Sequence, residues 1–389
     1  MRNLFSFLAV ASCLTLASCA APPRSYRTSV GEGPDQISVV VVSGTPYKMG
    51  QAFGRLMKDE VKPCMTGWLA VAQREDPDRC SNAALDAAWG TVAPHTNDRF
   101  KQELAGMADG SGVPIEVLRR VHMIPVVSDF ACSGVAVWGP ATASGHLLQL
   151  RNLDFSTNAG LQDYPVIVVY LPDKGIPHVN PTFAGFVGSH TGMNTEGVVL
   201  GEKGESPKSD FPFNLDGVHF TTLFRDLLYR ARDLDQALGM IQSARRIKRY
   251  YWYLGDGKGP DVRAVKIKVT TPDPIPLTIW RDNDKTDELA PKVLKNAIYN
   301  TMENEIAYKH LKANWGRYDP DKMIALSRQV ASKNGNLVNV VYDATALELW
   351  VAHAEESEYA SKRPYVHLKM RDYLDPSRTP PGAVVWVGK

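Results

Sequence analysis

The chain lacks the short signatures that mark common cofactor and metal sites. Its 389 residues include 9 histidines and 5 cysteines, but no HExxH and no CxxC, which argues against a zinc site. No GxGxxG loop follows a predicted strand, and the strictly alternating βαβ pattern of a Rossmann fold is absent. We therefore expect no metal and no cofactor.

An excess of charge of either sign is also missing. Lysine and arginine number 44 against 42 aspartate and glutamate, a formal net charge of +2. This near-neutral balance argues against nucleic acid as a partner. Beyond the N-terminal region, no run reaches the roughly 18 apolar residues of a membrane helix. The sequence contains no internal repeat and carries no information on oligomeric state.

The first 18 residues have the features of a bacterial lipoprotein signal. Arg2 supplies a positive charge, residues 4–16 form an apolar core too short to span a bilayer, and residues 16–19 (LASC) resemble a lipobox. Cys19 would then be the lipidated first residue of the mature protein. This predicts an exported lipoprotein, anchored to a membrane and facing the periplasm or the cell exterior.

The segment after the signal is rich in Pro, Gly and Ser. Residues 19–36 are therefore predicted to form a flexible tether. The remaining residues, 37–389, are long enough for one large domain. The alternative for the N-terminus is an ordinary secretory signal cut near Ala20.

Cysteine usage singles out one thiol. Cys13 leaves with the signal, and Cys19 would carry lipid. Cys64 and Cys80 fall in one helical region and are predicted to pair in an oxidising periplasm. Cys132 is then the odd thiol, and an unpaired cysteine in an exported protein requires a reason. A buried structural cysteine is the alternative.

The most informative segment is residues 130–155, FACSGVAVWGPATASGHLLQLRNLDF. It predicts a β-hairpin that begins near Cys132, turns at residues 143–145 and ends with Arg151 and Asp154. The two ends of an antiparallel hairpin lie side by side. We therefore expect the thiol, the guanidinium and the carboxylate to share one site.

These residue types suit nucleophilic attack on an amide or ester carbonyl. A cysteine attacks only as the thiolate, so it needs a base or a positive neighbour. A cut between Ala131 and Cys132 would free an α-amine with a pKa of about 8 beside the thiol. Arg151 would lower the thiol pKa or hold a substrate carbonyl, and Asp154 would bind the α-amine or orient Arg151. The alternative for these two residues is a structural ion pair.

A tight turn at residues 188–197 supplies two further candidates. The side chain of Asn194 can donate to a developing oxyanion. Its alternative is a turn residue that tolerates the left-handed region. His190 is a candidate for the pocket wall, or else a hydrogen-bonded loop residue.

The remaining pattern predicts an α+β protein whose antiparallel sheets are covered by helices. Strands are predicted at residues 36–43, 133–138, 146–151, 165–171, 182–188, 196–201, 250–255, 262–269, 275–280, 337–343 and 346–353. Helices are predicted from residue 47 and at residues 82–107, 114–124, 218–231, 233–244, 302–314 and 319–332. Asp233 or Asp235 is expected to cap the helix that begins there.

Five motifs in this order resemble the cysteine-type N-terminal nucleophile hydrolases. The nearest branch is the acyl-coenzyme A:6-aminopenicillanic acid acyltransferase group (the C45 peptidase family), and its relatives include bile-salt hydrolases and acid ceramidase-like amidases. The matching segments are residues 44–50, 132–134 with 143–145, 151–155, 192–197, and 340–343 with 349–351.

The resemblance implies a four-layer αββα sandwich and self-cleavage before Cys132. Residues 37–131 would form the N-terminal segment and residues 132–389 the catalytic segment. Arg151 and Asp154 carry over as catalytic residues. Substrates would be N-acyl amides, cleaved or transferred through an acyl-thioester.

One departure from the family concerns the oxyanion hole. Members often carry a second asparagine after the helix pair, where this chain has the segment 249–253, RYYWY. Either Asn194 and backbone N–H groups are sufficient to stabilise the oxyanion, or the activity is altered or lost. Tyr251 and Trp252 are candidates for an aromatic acyl pocket, with a half-buried strand or a face on anionic headgroups as alternatives.

Two other functions stay open. The first is an unprocessed thiol hydrolase that uses Cys132, His190 and Asp154. The second is a catalytically silent lipoprotein that uses the fold for binding. An intact bond between Ala131 and Cys132 would favour both, and a thiol-reactive probe would separate them.

Overall fold

The computed structural model describes residues 24–128, 131–204, 212–259, 261–269, 277–290, 292–375 and 377–387. The predicted signal, Cys13 and Cys19 lie outside these residues. None of the helices in the described part of the chain combines the length and apolar character that a membrane crossing requires.

The described residues form strands and helices in mixed order. The strands are β1 Ser25–Val30, β2 Ile37–Gly44, β3 Ala131–Gly139, β4 Gly145–Asp154, β5 Pro165–Pro172, β6 His178–Phe183, β7 Thr191–Asn194, β8 Val198–Gly204, β9 Tyr250–Asp256, β10 Arg263–Val269, β11 Thr278–Trp280, β12 Ala297–Asn300, β13 Val338–Asp343, β14 Glu348–His353, β15 Val366–Lys369 and β16 Val384–Trp386. The helices are α1 Pro46–Leu56, α2 Lys58–Glu75, α3 Pro77–Cys80, α4 Asn82–Val92, α5 Asp98–Ser111, α6 Ile115–Val127, α7 Phe220–Arg230, α8 Leu234–Ser243, α9 Asn304–Asn314 and α10 Pro320–Val330.

The strands form two sheets. The large sheet has the order β11-β10-β9-β8-β7-β6-β5-β2-β1-β16, and the small sheet has the order β12-β3-β4-β13-β14-β15. Among the described strand pairs, β2 and β5 run parallel and the others run antiparallel. The exception arises because the chain between these two strands passes through six helices and the β3–β4 hairpin, a long crossover that permits parallel pairing.

The two sheets face each other and are covered by helices. Strands β3 and β4 contact β8 and β9 across the interface. Helices α1, α7 and α8 contact the large sheet, whereas α9 and α10 contact the small sheet. The fold is therefore the αββα sandwich that the sequence predicts, with the β3–β4 hairpin at its centre.

The tether prediction is wrong for residues 25–30. These residues form β1, which pairs with β2 and with β16 near the C-terminus. The side chain of Tyr26 is fully buried. Composition alone misses this strand, because amino-acid content does not show its pairing with β2 and β16.

The predicted disulfide is also absent. Cys64 and Cys80 are free, buried thiols. Cys64 lies in α2, and the rest of that helix, about 16 Å at 1.5 Å per residue, separates it from α3. The two thiols consequently sit in different surroundings: a charge on Asp163 acts on Cys64, and Ser128 hydrogen-bonds Cys80.

Two predicted elements differ in extent. The helix predicted at residues 82–107 is broken at a short 3-10 turn, Ala93–His95, and α5 begins anew with Asn97 as its cap. The strand predicted at residues 182–188 lies earlier, as β6. Pro94, which favours the first turn of a new helix, accounts for the break.

Candidate active site

The predicted hairpin is β3–β4, and it brings Cys132 and Arg151 together. Cys132 lies opposite Leu153, and Gly134 lies opposite Arg151. Because side chains alternate along a strand and cross-strand partners share a face, these four positions lie on one face of the hairpin. An Nη2 of Arg151 lies 3.1 Å from the Cys132 Sγ.

Strand β8 of the large sheet adds a carboxylate to this pair. The guanidinium of Arg151 forms an ion pair with Glu202, and the Cys132 thiol donates to Glu202 Oε1 at 3.6 Å. All three side chains are at most 1% exposed. The sequence analysis missed Glu202, although an acid inside the apolar strand VVLGEKG signals a buried charge that needs a partner.

The thiol is held in its protonated form in the unprocessed chain. Burial raises the pKa of Cys132 above its usual range, Arg151 opposes this rise, and the charge of Glu202 adds to it. Burial also raises the pKa of Glu202, against the lowering effect of Arg151. A neutral Sγ of this kind needs a group that accepts its proton before it can attack the carbonyl of a bound substrate.

Asp154 lies beside the peptide that precedes the nucleophile. In the hairpin register it is the partner of Ala131. Its Oδ1 accepts from the Ser332 backbone N at 3.0 Å and from Asn336 Nδ2 at 2.9 Å, and Ser133 Oγ lies 3.4 Å from Oδ2. The carboxylate is thereby fixed on the opposite face of β4 from Arg151.

Asp154 therefore does not orient Arg151. The guanidinium takes Glu202 as its partner, so the predicted orienting role and the alternative of an Arg151–Asp154 ion pair are both wrong. Burial raises the pKa of Asp154 to about 6, although its hydrogen bonds and Arg151 lower it. Near neutral pH, this carboxyl is poised to change protonation.

Asn194 is not part of the site. Its Nδ2 donates to the backbone oxygens of Leu228 and Ala231 at 3.3 and 2.8 Å. Its Oδ1 accepts from the backbone N of Glu196 and of Val198, both at 3.1 Å. The side chain thus points toward α7, on the outer side of the large sheet, and fixes the turn. The oxyanion role predicted for it is wrong. The side chain serves the turn, as the alternative holds, but Asn194 ends strand β7 and does not adopt the left-handed backbone of that alternative.

A second asparagine lies on the same face of the small sheet as the nucleophile. Asn300 ends strand β12 and is the register partner of Gly134 in β3, so its side chain shares the face of Cys132. It is 3% exposed, and its Nδ2 has no hydrogen-bond partner among the described residues. Asn300 is therefore a candidate donor to an oxyanion at this face. The sequence analysis overlooked it because β12 is only four residues long and lies after a loop.

An apolar cavity opens beside Arg151 and Glu202. Its wall includes Trp68 from α2, Phe186 from the segment after β6, and Phe220 from α7. Tyr251 and Trp252 do not line it. Trp252 instead packs against Phe224 of α7, with ring centroids 5.3 Å apart. It is therefore a packed strand residue, as the alternative to the acyl-pocket prediction holds. Alternation along β9 places this ring on the outer side of the large sheet.

His190 lines the cavity but does not complete a triad. Its ring packs edge-on against Phe186, with centroids 5.4 Å apart. Burial, and then the charge of Arg151, lower its pKa well below the usual value. In the described part of the chain it makes no hydrogen bond to Cys132 or Asp154.

Among the described residues, no group of three or more His, Cys, Asp or Glu side chains forms a candidate metal site.

Comparison with known proteins finds distant relatives. No family model matches the chain. "Protein dcd1B" of Dictyostelium discoideum is 25% identical over 352 residues, which cover 82% of this chain and 68% of that protein. "Protein dcd1A" of the same organism is 28% identical over 270 residues, covering 61% of this chain and 60% of its own length. The chain thus spans about two thirds of the relatives it matches.

Solved structures show partial likeness in backbone. An N-acylethanolamine-hydrolyzing acid amidase ortholog of Caenorhabditis elegans has a TM-score of 0.44 at 15% identity, over 60% of this chain and 99% of that chain. A mutant conjugated bile acid hydrolase of Clostridium perfringens has a TM-score of 0.43 at 10% identity, over 66% and 97%. Penicillin V acylase of Agrobacterium tumefaciens has a TM-score of 0.39 at 11% identity, over 62% and 86%. At such TM-scores the likeness is weak, and the αββα layering rests on the strand order and contacts given above.

Proposed function

We propose that this chain is a cysteine amidohydrolase or acyltransferase that frees its own nucleophile. It cuts the bond between Ala131 and Cys132 and then acts on N-acyl amides through an acyl-thioester. The observation that carries this proposal is the placement of the Cys132 Sγ. It lies 3.1 Å from an Arg151 nitrogen that borders an apolar cavity, with Asp154 opposite the preceding residue.

The need for a base supports processing. The buried thiol is protonated, and no described histidine hydrogen-bonds it. A new α-amine on Cys132 would lie within reach of the thiol and would titrate near neutral pH. The carboxylate of Asp154, which lies opposite Ala131, would accept a hydrogen bond from that amine and hold it in place.

Self-cleavage would use the same thiol. The Cys132 Sγ attacks the carbonyl carbon of Ala131, the C–N bond breaks, and the thiol proton passes to the departing nitrogen. This leaves a thioester between Ala131 and the Sγ, with the nitrogen now an α-amine. Water then hydrolyses the thioester, which gives a carboxylate on Ala131 and a free thiol on Cys132.

Turnover would follow the same chemistry on a bound amide. The α-amine takes the thiol proton, and the thiolate, stabilised by Arg151, attacks the substrate carbonyl. The Asn300 Nδ2 donates to the oxyanion. The leaving amine takes the proton from the α-ammonium and departs, and water or a second amine then accepts the acyl group from the Sγ.

The cavity supports an apolar acyl group as the recognised part of the substrate. Aromatic side chains such as Trp68 and Phe186 dominate its wall, and Arg151 and Glu202 mark the end where chemistry would occur. An apolar pocket with a few polar groups at one end is typical of small-molecule sites. We infer a medium-length acyl or aromatic acyl amide as the substrate class.

Export and lipidation are part of the proposal. Cys19 would carry the lipid, and the first described strand begins six residues later at Ser25, so the enzyme would sit close to the membrane that anchors it. Metabolic labelling with a radioactive fatty acid tests this. The label should appear on the natural chain and be lost in Cys19→Ser, whereas Cys64→Ser should keep it.

Intact mass and N-terminal sequencing of the purified protein test the processing step. We expect two chains, one of which begins at Cys132. The Cys132→Ala variant should stay uncut, and the Cys80→Ala variant, which removes another buried thiol, should process normally. A single uncut natural chain that nonetheless hydrolyses amides would favour the unprocessed thiol hydrolase. An uncut chain with no turnover would favour a binding lipoprotein.

A further inference from the structure

We propose that Tyr253 and Lys266, two side chains of the large sheet, are positioning residues that hold the main chain of β12 so that Asn300 stays aligned with Cys132. This inference rests on the proposed function, because it concerns the amide that would stabilise the oxyanion. It adds two residues that touch neither the substrate nor the nucleophile.

Strand β12 needs support from outside its own sheet. It has four residues and lies at the edge of the small sheet, where β3 is its partner among the described strands. An edge strand leaves backbone groups on one side without ladder hydrogen bonds. A strand so short would hold the Asn300 side chain loosely, and an oxyanion donor must be fixed to within about 0.5 Å.

Tyr253 links β12 to the strand that carries the nucleophile. Its hydroxyl donates to the Asn300 backbone O at 3.0 Å. Its ring presses against Gly134 so closely that a Cβ at this position would lie 2.3 Å from the ring Cε2. Gly134 is the register partner of Asn300 and lies two residues after Cys132. One rigid aromatic ring therefore touches β3 and β12 at the level of the site.

Lys266 holds the preceding carbonyl. Its Nζ donates to the Tyr299 backbone O at 2.9 Å and forms an ion pair with Asp287 at 2.6 Å. The side chain is 0% exposed. Two successive carbonyls of β12, those of Tyr299 and Asn300, are thus bound by side chains from the opposite sheet.

The burial of this lysine is consistent with a positioning role. Moving an ammonium out of water is unfavourable, and an apolar residue of similar size often serves stability equally well. Burial lowers the pKa of Lys266 to about 8, although Asp287 raises it. The protonated side chain donates charge-assisted hydrogen bonds to the Tyr299 carbonyl and to Asp287, and so holds the two together. A neutral amine would bind both more weakly.

The test variants are Tyr253→Phe and the double substitution Lys266→Met/Asp287→Leu. Their controls are Tyr318→Phe and Lys268→Met. Tyr318 hydrogen-bonds His310 beyond the other face of the small sheet, and Lys268 pairs with the exposed Glu288. The Lys266 variant is made as a double substitution because Asp287 alone would remain as a buried, unpaired carboxylate.

Two readouts decide the outcome. Hydrogen exchange by mass spectrometry should show faster exchange over residues 297–301 in both test variants and in neither control. In amide hydrolysis, each test variant should lower kcat about tenfold with little change in KM, and should have no further effect in an Asn300→Ala background. Coupled residues give such non-additive losses, whereas general destabilisation would add to the Asn300→Ala loss.

The failures of the two proposals are distinguishable. Unchanged exchange over β12 overturns the positioning role, and so does a full, additive kcat loss in the Asn300→Ala background. If the natural protein hydrolyses no amide and does not process, the proposed function fails, and exchange over β12 still decides whether Tyr253 and Lys266 hold that strand.

Discussion

Arg151 and Glu202 form an ion pair that is buried between the two sheets, and the same guanidinium lies 3.1 Å from the Cys132 Sγ. The carboxylate comes from β8 of the large sheet, whereas the arginine and the cysteine come from one hairpin of the small sheet. The two sheets are therefore joined at the nucleophile. A change in either charge alters both the stability of the sandwich and the ionisation of the thiol.

Glu202→Gln should destabilise the protein and lower the pKa of Cys132. The substitution leaves Arg151 buried without its counter-charge, which costs about 3–5 kcal/mol. It also removes a charge that raises the thiol pKa. Urea unfolding measures the first effect. As a control, Asp86→Asn breaks the exposed pair with Arg120 and should cost less than about 1 kcal/mol. A loss no larger than this control would contradict the role of Glu202.

Amide hydrolysis should fall with decreasing pH as the α-amine of Cys132 protonates, with an ordinary pKa of about 8. It should fall further through an apparent pKa near 6, the acid limb that we assign to Asp154. Asp154 has a pKa of about 6, and its ionised form is the one that would hold the α-amine of Cys132. Its protonation would release that hydrogen bond. The pH dependence of kcat checks this, and Asp154→Asn should lose most activity at every pH. An unchanged acid limb in that variant would assign the limb to another group.

The same substitution should stabilise the folded protein at neutral pH. The folded pKa of about 6 lies above the unfolded value of about 3.9. Between these values the folded state binds more protons, so the free energy of unfolding should fall as pH rises from about 4 to about 6, by of order 1–3 kcal/mol. Asp154→Asn should remove this fall, because an amide does not titrate and its Oδ1 can still accept from Ser332 and Asn336. The difference between the unfolding midpoints at about pH 4.5 and about pH 7.5, in the natural protein and in the variant, measures this fall.

The acyl preference should follow the size of the cavity. Phe186 contributes to its wall, and Phe186→Leu should raise kcat/KM for longer acyl chains relative to shorter ones, by roughly tenfold for one or two methylenes. Trp315→Leu, at an exposed aromatic (43% exposed) that is not part of the wall, should leave the ratio unchanged. The same ratio in all three proteins would mean that the acyl group binds elsewhere.

The sequence determined the features that depend on local order. The apolar alternation and the turn at residues 143–145 specify the β3–β4 hairpin, and the hairpin alone brings Cys132 and Arg151 to one face. Asp233 accepts from the Gln236 backbone N at 2.7 Å and caps α8, one of the two predicted caps. Such features lie within a few residues of one another, so propensity and periodicity are sufficient to predict them.

The tertiary structure decided which distant residues join the site. Glu202 and Asn300 come from strands far from Cys132 in the sequence, and their alignment with Cys132 depends on sheet order and on the packing of two sheets. For Asn194 the sequence offered two roles, and the choice depended on which side of the large sheet β7 presents, because a shift of one residue reverses every side chain. Cross-sheet packing is a long-range property, and the periodicity of a single segment does not contain it.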